Sequence, residues 1–224
     1  MKTIAIIPAR GGSKRLPNKN RLSLGGIPLL VHSIQYAQAN ETIIDEVYVS
    51  TDDQKIKEVA LQYGVKVIDR PEVLSGDLEP TVTALKHLLQ TIQDKVENVI
   101  LLQPINPLRP KELLSEAFRI FNQGNYDSLF TVTQNHHKLG KIETNKFIPF
   151  NYTIGQRSQD LEPLYFENGL LYITKAKLIL DNTIISENAF PLEVKHIFAN
   201  IDIDTQEDLE YAEYLYKKYT THNP

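Results

Sequence analysis

The stretch "IIPARGGSKRLPNKN", residues 6–20, sets Arg10, Lys14, Arg15 and Lys19 directly after an apolar run; Arg21 follows, and no acid occurs before Glu41. Gly11 and Gly12 let the backbone pass close to a ligand and turn its N–H groups toward an anion. Lysine and arginine around such a turn supply charge-assisted hydrogen bonds to phosphate oxygens. The spacing matches neither the dinucleotide-binding G-x-G-x-x-G nor the phosphate loop G-x-x-x-x-G-K-[ST]. The plain alternative, a solvated basic turn, leaves the glycines and the missing acids unexplained.

Near the other end, Asp202 and Asp204 stand two apart in "NIDID". Read as a strand, that segment sends both carboxylates to one face. Two carboxylates completed by phosphate oxygens and water make an ordinary shell for Mg²⁺, and without a cation they repel one another. Taken alone, the triplet is as readily an acidic surface. Opposite a phosphate loop it reads as a metal site. Arg70 and Arg109 each follow a predicted strand; in isolation they are surface or subunit-contact residues. The adjacent His136 and His137 lie on an irregular stretch and receive no role. The tyrosines of the tail (Tyr211, Tyr214, Tyr216 and Tyr219) read as helix packing and surface.

The elements that must position these residues alternate. "TIAIIPA" reads as a buried β-branched strand, and "PLLVHSIQYAQA" as a helix with Pro28 in its first turn. "DEVYVST", "VKVID", "NVILLQ" and "SLFTVT" read as further strands. "DQKIKEVALQYG", "TVTALKHLLQTIQ" and "KELLSEAFRIFNQG" are the helices between them, the first closed by Gly64. This rhythm predicts right-handed crossovers and a mostly parallel sheet flanked by helices, an α/β Rossmann-like fold. It breaks after Thr133. Residues 134–167 are polar and interrupted, and read as an insertion or dimer arm within one domain spanning 1–224. "GLLYIT" and "NIDID" resume as strands, and Thr205 with Asp208 forms a capping box for the last helix. In open parallel sheets ligands bind beyond the carboxyl ends of the strands. Arg10 to Lys19, Ser50 to Asp53, Arg70, Gln103 to Arg109 and the Asp202/Asp204 pair all fall there.

Composition narrows the partners. The net charge is −4, while residues 1–40 hold six Lys/Arg and no Asp/Glu, so the remainder sums to −10. An acidic chain with one basic focus suits a small, highly charged anion and not nucleic acid. Cysteine is absent, which excludes disulfides, a thiolate nucleophile and cysteine-held zinc. No apolar run approaches the ~20 residues of a membrane span. The opening apolar stretch is too short for a signal peptide, so a cytoplasmic location is expected.

"IIPARGGSKRLPNKN", "VYVSTDD", "RPEVLSGD", "LLQPINPLR", "QRSQDL", "ENGLLYITK" and "IDIDTQEDL" resemble, in that order, the motifs of the CMP-N-acylneuraminate (CMP-sialic acid) synthetases. The resemblance implies a fold of the nucleotide-diphospho-sugar transferase type with a dimerisation insertion. It also implies transfer of CMP from CTP to a nonulosonic acid, N-acetylneuraminate first, with Mg²⁺ and release of pyrophosphate. By motif position, Arg10, Ser13, Lys14, Lys19 and Asn20 would bind the CTP phosphates and settle the nucleotide, with Arg10 and Lys19 catalytic. Arg70 and Thr81 would lie near the ribose and base. Gln103, Asn106 and Arg109 would bind the sugar acid or frame its pocket, with Arg157 and Tyr172. Asp202 and Asp204 would be catalytic and hold the metal.

The chain departs from the family at two places on the sugar side. Ile105-Asn106 replaces a Thr-Ser pair, and Arg157-Ser158 replaces a double arginine. Legionaminate, pseudaminate and 3-deoxy-manno-octulosonate are the alternative acceptors. Two rival readings are a glycosyltransferase with a D-x-D metal motif, which would consume a nucleotide-sugar, and a non-catalytic nucleotide-binding regulator. The first gives no reason for the dense cationic loop; the second has no need of the aspartate pair.

Overall fold

The computed structural model describes residues 2–220. Eleven strands and six α-helices are present among them. In chain order they are β1 (Lys2–Pro8), β2 (Ser23–Leu24), β3 (Ile27–Pro28), α1 (Leu29–Gln38), β4 (Glu46–Thr51), α2 (Gln54–Gln62) and β5 (Lys66–Asp69). Then come α3 (Thr81–Thr91), β6 (Val96–Leu101), α4 (Leu113–Gln123), β7 (Ser128–Asn135), β8 (Gly140–Glu143) and β9 (Lys146–Pro149). β10 (Leu164–Lys175), α5 (Ala176–Leu180), β11 (Ala189–Glu193) and α6 (Gln206–Thr220) complete the chain.

Seven strands form one sheet in the order β11-β7-β10-β6-β1-β4-β5. Only β10 runs antiparallel to its neighbours, β6 and β7; the other pairs are parallel. The expected mostly parallel, helix-flanked sheet is therefore present. Period two along β1 makes both faces. Ala5 and Ile7 pack with Leu30, Ile34, Ile56 and Leu114 on the side of α1, α2 and α4. Ile4 and Ile6 pack with Leu85, Leu88 and Ile179 on the side of α3 and α5. A third cluster ties α6 to the opening loop, through Leu16, Leu24, Leu209, Ala212 and Leu215.

Two expectations change. Pro28 precedes α1, with ψ 146°, instead of lying in its first turn. "NIDID" is not a strand: residues 201–204 pair with no ladder. They are extended and pinned by single bonds, the Ile203 N–H to the Ile105 carbonyl at 2.9 Å and the Asn106 side chain to the Ile201 carbonyl at 2.7 Å. Alternation survives without the ladder, since Ile201 and Ile203 are buried while Asp202 and Asp204 face outward. Within residues 134–167, the ends of β7 and β10 pair as far as Asn135 and Leu164, and β8 and β9 form a separate hairpin.

Candidate active site

The opening loop is folded by its own polar groups. Asn18 takes a left-handed turn at φ 57° into the short 3₁₀ helix Lys19–Arg21. Asn20 is buried, and its side-chain amide donates to the Arg10 carbonyl at 2.9 Å. Gly11 lies against the loop after β4, where a Cβ would come 2.7 Å from Asp53 Cβ. No other residue fits that approach. The expected anion-facing N–H of Gly11 is instead used within the chain, donating to Asp52 Oδ1 at 3.0 Å.

Polar side chains converge on a cleft of about 240 Å³ beyond the ends of β1, β5 and β6. Arg10, Lys19, Asn20, Arg70, Thr81 and Gln103 line it, with the 74–77 turn opposite. Each cation already meets an acid. Arg10 and Lys14 reach Asp77 at 2.9 and 2.5 Å, and Lys19 and Arg15 reach Asp204 at 2.8 and 2.6 Å. Arg70 is buried with only Asp52, 3.7 Å away, and its Nε and Nη2 have no hydrogen-bond partner in the chain. Burial lowers its proton affinity, and Arg10 nearby adds to that. Unanswered donors on a buried guanidinium that lines the cleft call for an acceptor that the chain itself does not supply.

Gln103 is also shared by two adjoining recesses. One holds Asn106, Glu167, Tyr172 and Asp202; the other holds Thr81, Val82, Glu167, Tyr172, Ile184 and Ile185. Burial, then the neighbouring Glu167, raises the Tyr172 phenol, whose hydroxyl donates to Glu167 Oε2 at 3.1 Å. Asp202 is solvent-exposed but set in a concave wall; the surrounding protein, and Asp204 beside it, raise its pKa. Among the described residues no group of three or more His, Cys, Asp or Glu gathers to hold a metal. Two hard carboxylates beside a phosphate-sized cleft fit a cation that keeps waters and completes its shell from its ligand, as Mg²⁺ does.

Not every expected residue reaches the cleft. Ser13 and Lys14 lie outside its lining, Lys14 being 85% exposed. Asn106 is buried, its amide spent on the Asn168 and Ile201 carbonyls. Arg109 lies in the interior. Its guanidinium donates to the Leu170 and Gln103 carbonyls and to Ser33 Oγ, at 2.7, 2.8 and 3.1 Å. Burial lowers its pKa to about 10, and it frames the pocket from below. Arg157 is 69% exposed and paired with Asp160, and it lines neither the cleft nor the two adjoining recesses. Three residues were not singled out from the sequence: Asp77, Asp52 and Glu167. All three stand inside motifs quoted above, Asp77 in "RPEVLSGD", Asp52 in "VYVSTDD" and Glu167 in "ENGLLYITK", and none of them was given a role of its own.

This arrangement is that of a nucleotidyltransferase. A solved CMP:2-keto-3-deoxy-manno-octonic acid synthetase complexed with CTP superposes with a TM-score of 0.72 at 18% identity, covering 97% of this chain and 99% of that one. Within that class the chain belongs to the cytidylyltransferase family, which residues 4–222 match. It is 35% identical over 226 residues to the pseudaminic acid cytidylyltransferase of Campylobacter jejuni, covering 97% of each. It is 35% identical over 228 residues to the CMP-N,N'-diacetyllegionaminic acid synthase of Legionella pneumophila, covering 96% of each. The N-acylneuraminate cytidylyltransferase of Streptococcus agalactiae is 33% identical over 220 residues, which are 93% of this chain and 52% of that one. Family membership selects the cytidylyltransferase reading over a nucleotide-sugar-consuming one.

Proposed function

We propose that this chain transfers CMP from CTP to the anomeric hydroxyl of a nonulosonic acid. The anomeric oxygen bonds to the α-phosphorus, the bond to the bridging oxygen breaks, pyrophosphate leaves and the hydroxyl proton is lost. The observation that carries this reading is the continuity, through Gln103, of a cation-lined cleft with a sugar-sized recess. Arg10 and Lys19 would neutralise charge that grows on the phosphoryl oxygens and on pyrophosphate, where positioned cations lower the barrier most. Arg70, with open donors beside Thr81, would hold the ribose or base. Asp202 and Asp204 would hold Mg²⁺, which supplies further neutralisation of phosphate charge. An enzyme that consumes CTP belongs in the cytoplasm, where that nucleotide is made.

The acceptor's carboxylate needs a partner, and neither recess contains a lysine or arginine. This favours Arg157 delivered by a second copy. Residues 134–167 would serve as the arm, since Ile142, Phe147, Phe150 and Ile154 are exposed on it. N-acetylneuraminate is the first acceptor to test, from the motifs. A pseudaminic or legionaminic acid is the second reading, supported by relatives matched over nearly their whole length. The test is pyrophosphate release with CTP, Mg²⁺ and each acid in turn. Turnover should require all three components and fail with UTP or ATP. CTP left intact with every acid, or equal use of ATP, would refute the reading.

A further inference from the structure

Glu167 and Tyr172 are five residues apart on one strand. In an unbroken strand an odd separation sends two side chains to opposite faces, yet these two share a hydrogen bond and line the same recesses. The cause is in the pairing with β7. Glu167 stands opposite Val132 and Tyr172 opposite Phe130, so five steps along β10 cover only two along β7. The surplus is taken up in a bulge at Gly169, whose φ is +74° and where a Cβ would meet Asn106 Oδ1 at 2.7 Å.

Buried polar groups hold that bulge. Asn168 Oδ1 accepts from Thr131 Oγ1 at 2.5 Å and from the Leu170 N–H at 3.1 Å, and its amide donates to Thr133 Oγ1 at 2.9 Å. Asn106 donates to the Asn168 carbonyl from below. Every bond of Asn168 is made, while Asn106 Oδ1, which lies against Gly169, has no partner in the chain; bulges beside active sites serve to re-aim side chains. What this one re-aims is Glu167. Tyr172 occupies one carboxylate oxygen, and no basic residue pairs with the carboxylate among the described residues.

A carboxylate in a recess for an anionic sugar cannot face the sugar's own carboxylate, because the two repel. It must face a donor. Resting on the reading above, we propose that Glu167 is a specificity-determining residue that accepts a hydrogen bond from a hydroxyl or amide N–H on the acceptor acid, remote from its carboxylate. It selects among nonulosonic acids by whether they place a donor there. Asn168 and Asn106 are its positioning residues.

The test uses the full chain and whichever acid the wild type turns over. Glu167→Gln and Glu167→Ala should raise the KM for the acid roughly 10-fold, the loss of one hydrogen bond to a charged group. kcat should change little and the KM for CTP should not change. A series of monodeoxy and N-deacylated analogues then locates the donor. One analogue should lose about as much with wild type, and lose nothing further with Glu167→Ala, as two ends of one contact must. An acid KM within twofold of wild type in both variants would overturn the proposal. So would an equal penalty on every analogue, or a loss confined to CTP. A wild type inert toward every acid would instead overturn the cytidylyl-transfer reading, and this proposal with it.

Discussion

Lys19 and Arg109 show how two basic side chains with similar places in the sequence come to different tasks. Lys19 keeps 13% of its side chain open at the cleft and reaches a carboxylate. Lys19→Ala should lower kcat roughly 10²–10³-fold, about 2.7–4 kcal/mol, with an unchanged melting temperature. A rise in the KM for CTP at constant kcat would show ground-state binding instead. Among the described residues no acid pairs with Arg109, which meets carbonyls, a hydroxyl and the face of the Tyr36 ring. Arg109→Met should therefore act on stability, lowering it by about 2–4 kcal/mol as buried acceptors lose their donors, and melting curves will read it. The kinetics of the folded fraction should stay near wild type. Position after a strand was legible for both, and it placed Arg10, Lys19, Arg70 and Gln103 at one rim correctly. Burial was not legible for Arg109, because its partners are main-chain carbonyls, which every residue carries. Glu167 opens the quoted motif "ENGLLYITK", but its place beside Tyr172 was hidden: strand period puts the two on opposite faces, and the bulge that brings them together depends on Asn106 and Thr131, far off in sequence.

Among the elements, the strand–helix rhythm of β1, β4, β5, β6 and β7 with the helices between them was readable because each of those strands is a short β-branched run and each helix has an apolar face. The two-residue strands β2 and β3 carry no such run and were not foreseen. The capping box is present, with Asp208 Oδ2 accepting from the Thr205 N–H at 2.8 Å and Thr205 Oγ1 from the Asp208 N–H at 3.2 Å. "NIDID" misled because alternation describes any extended segment; a strand also needs a ladder partner, and Ile105 offers only one bond. At the opposite end of the sheet, Glu46 gathers three parallel strands. Lys66 of β5 and Lys2 of β1 reach its carboxylate at 2.6 and 3.2 Å, and Tyr48 donates to it at 2.6 Å. The Lys66 contact, then Tyr48, lower its pKa from 4.5 to about 2. A depressed folded pKa gives stability that is complete above the unfolded value and lost as pH falls through the folded one. The melting temperature should thus drop between about pH 5 and pH 2, and Glu46→Gln should make that slope shallower while lowering stability near neutrality. An identical slope in the variant would show that the cluster contributes nothing to acid sensitivity.

At the scale of the whole molecule, residues 134–167 present Ile142, Phe147, Phe150 and Ile154 to solvent, at 79, 51, 69 and 83% exposure. Ile142 and Phe147 face each other across the β8–β9 hairpin and Phe150 and Ile154 follow it, the exposed apolar side chains on which the proposed dimer arm rests. Light scattering should find a homodimer at micromolar concentration, and Phe147→Glu with Ile142→Lys should give a monomer with reduced acid turnover. A fully active monomer would refute the arm. The charge layout has a different consequence. Arg10 and Lys14 rest on Asp77, Arg15 and Lys19 on Asp204, and Arg70 stands near Asp52. An anion that takes Arg10, Lys14, Arg15 or Lys19 must displace these acids, and its gain there is the difference between two similar attractions. Orthophosphate or acetate swaps one charge for another and ends nearly where it began. A triphosphate brings several charges on one scaffold, so a first eviction makes the next intramolecular. The acids thereby act as a threshold, leaving the cleft unoccupied by the small anions that outnumber nucleotides and open to a ligand long enough to displace them together.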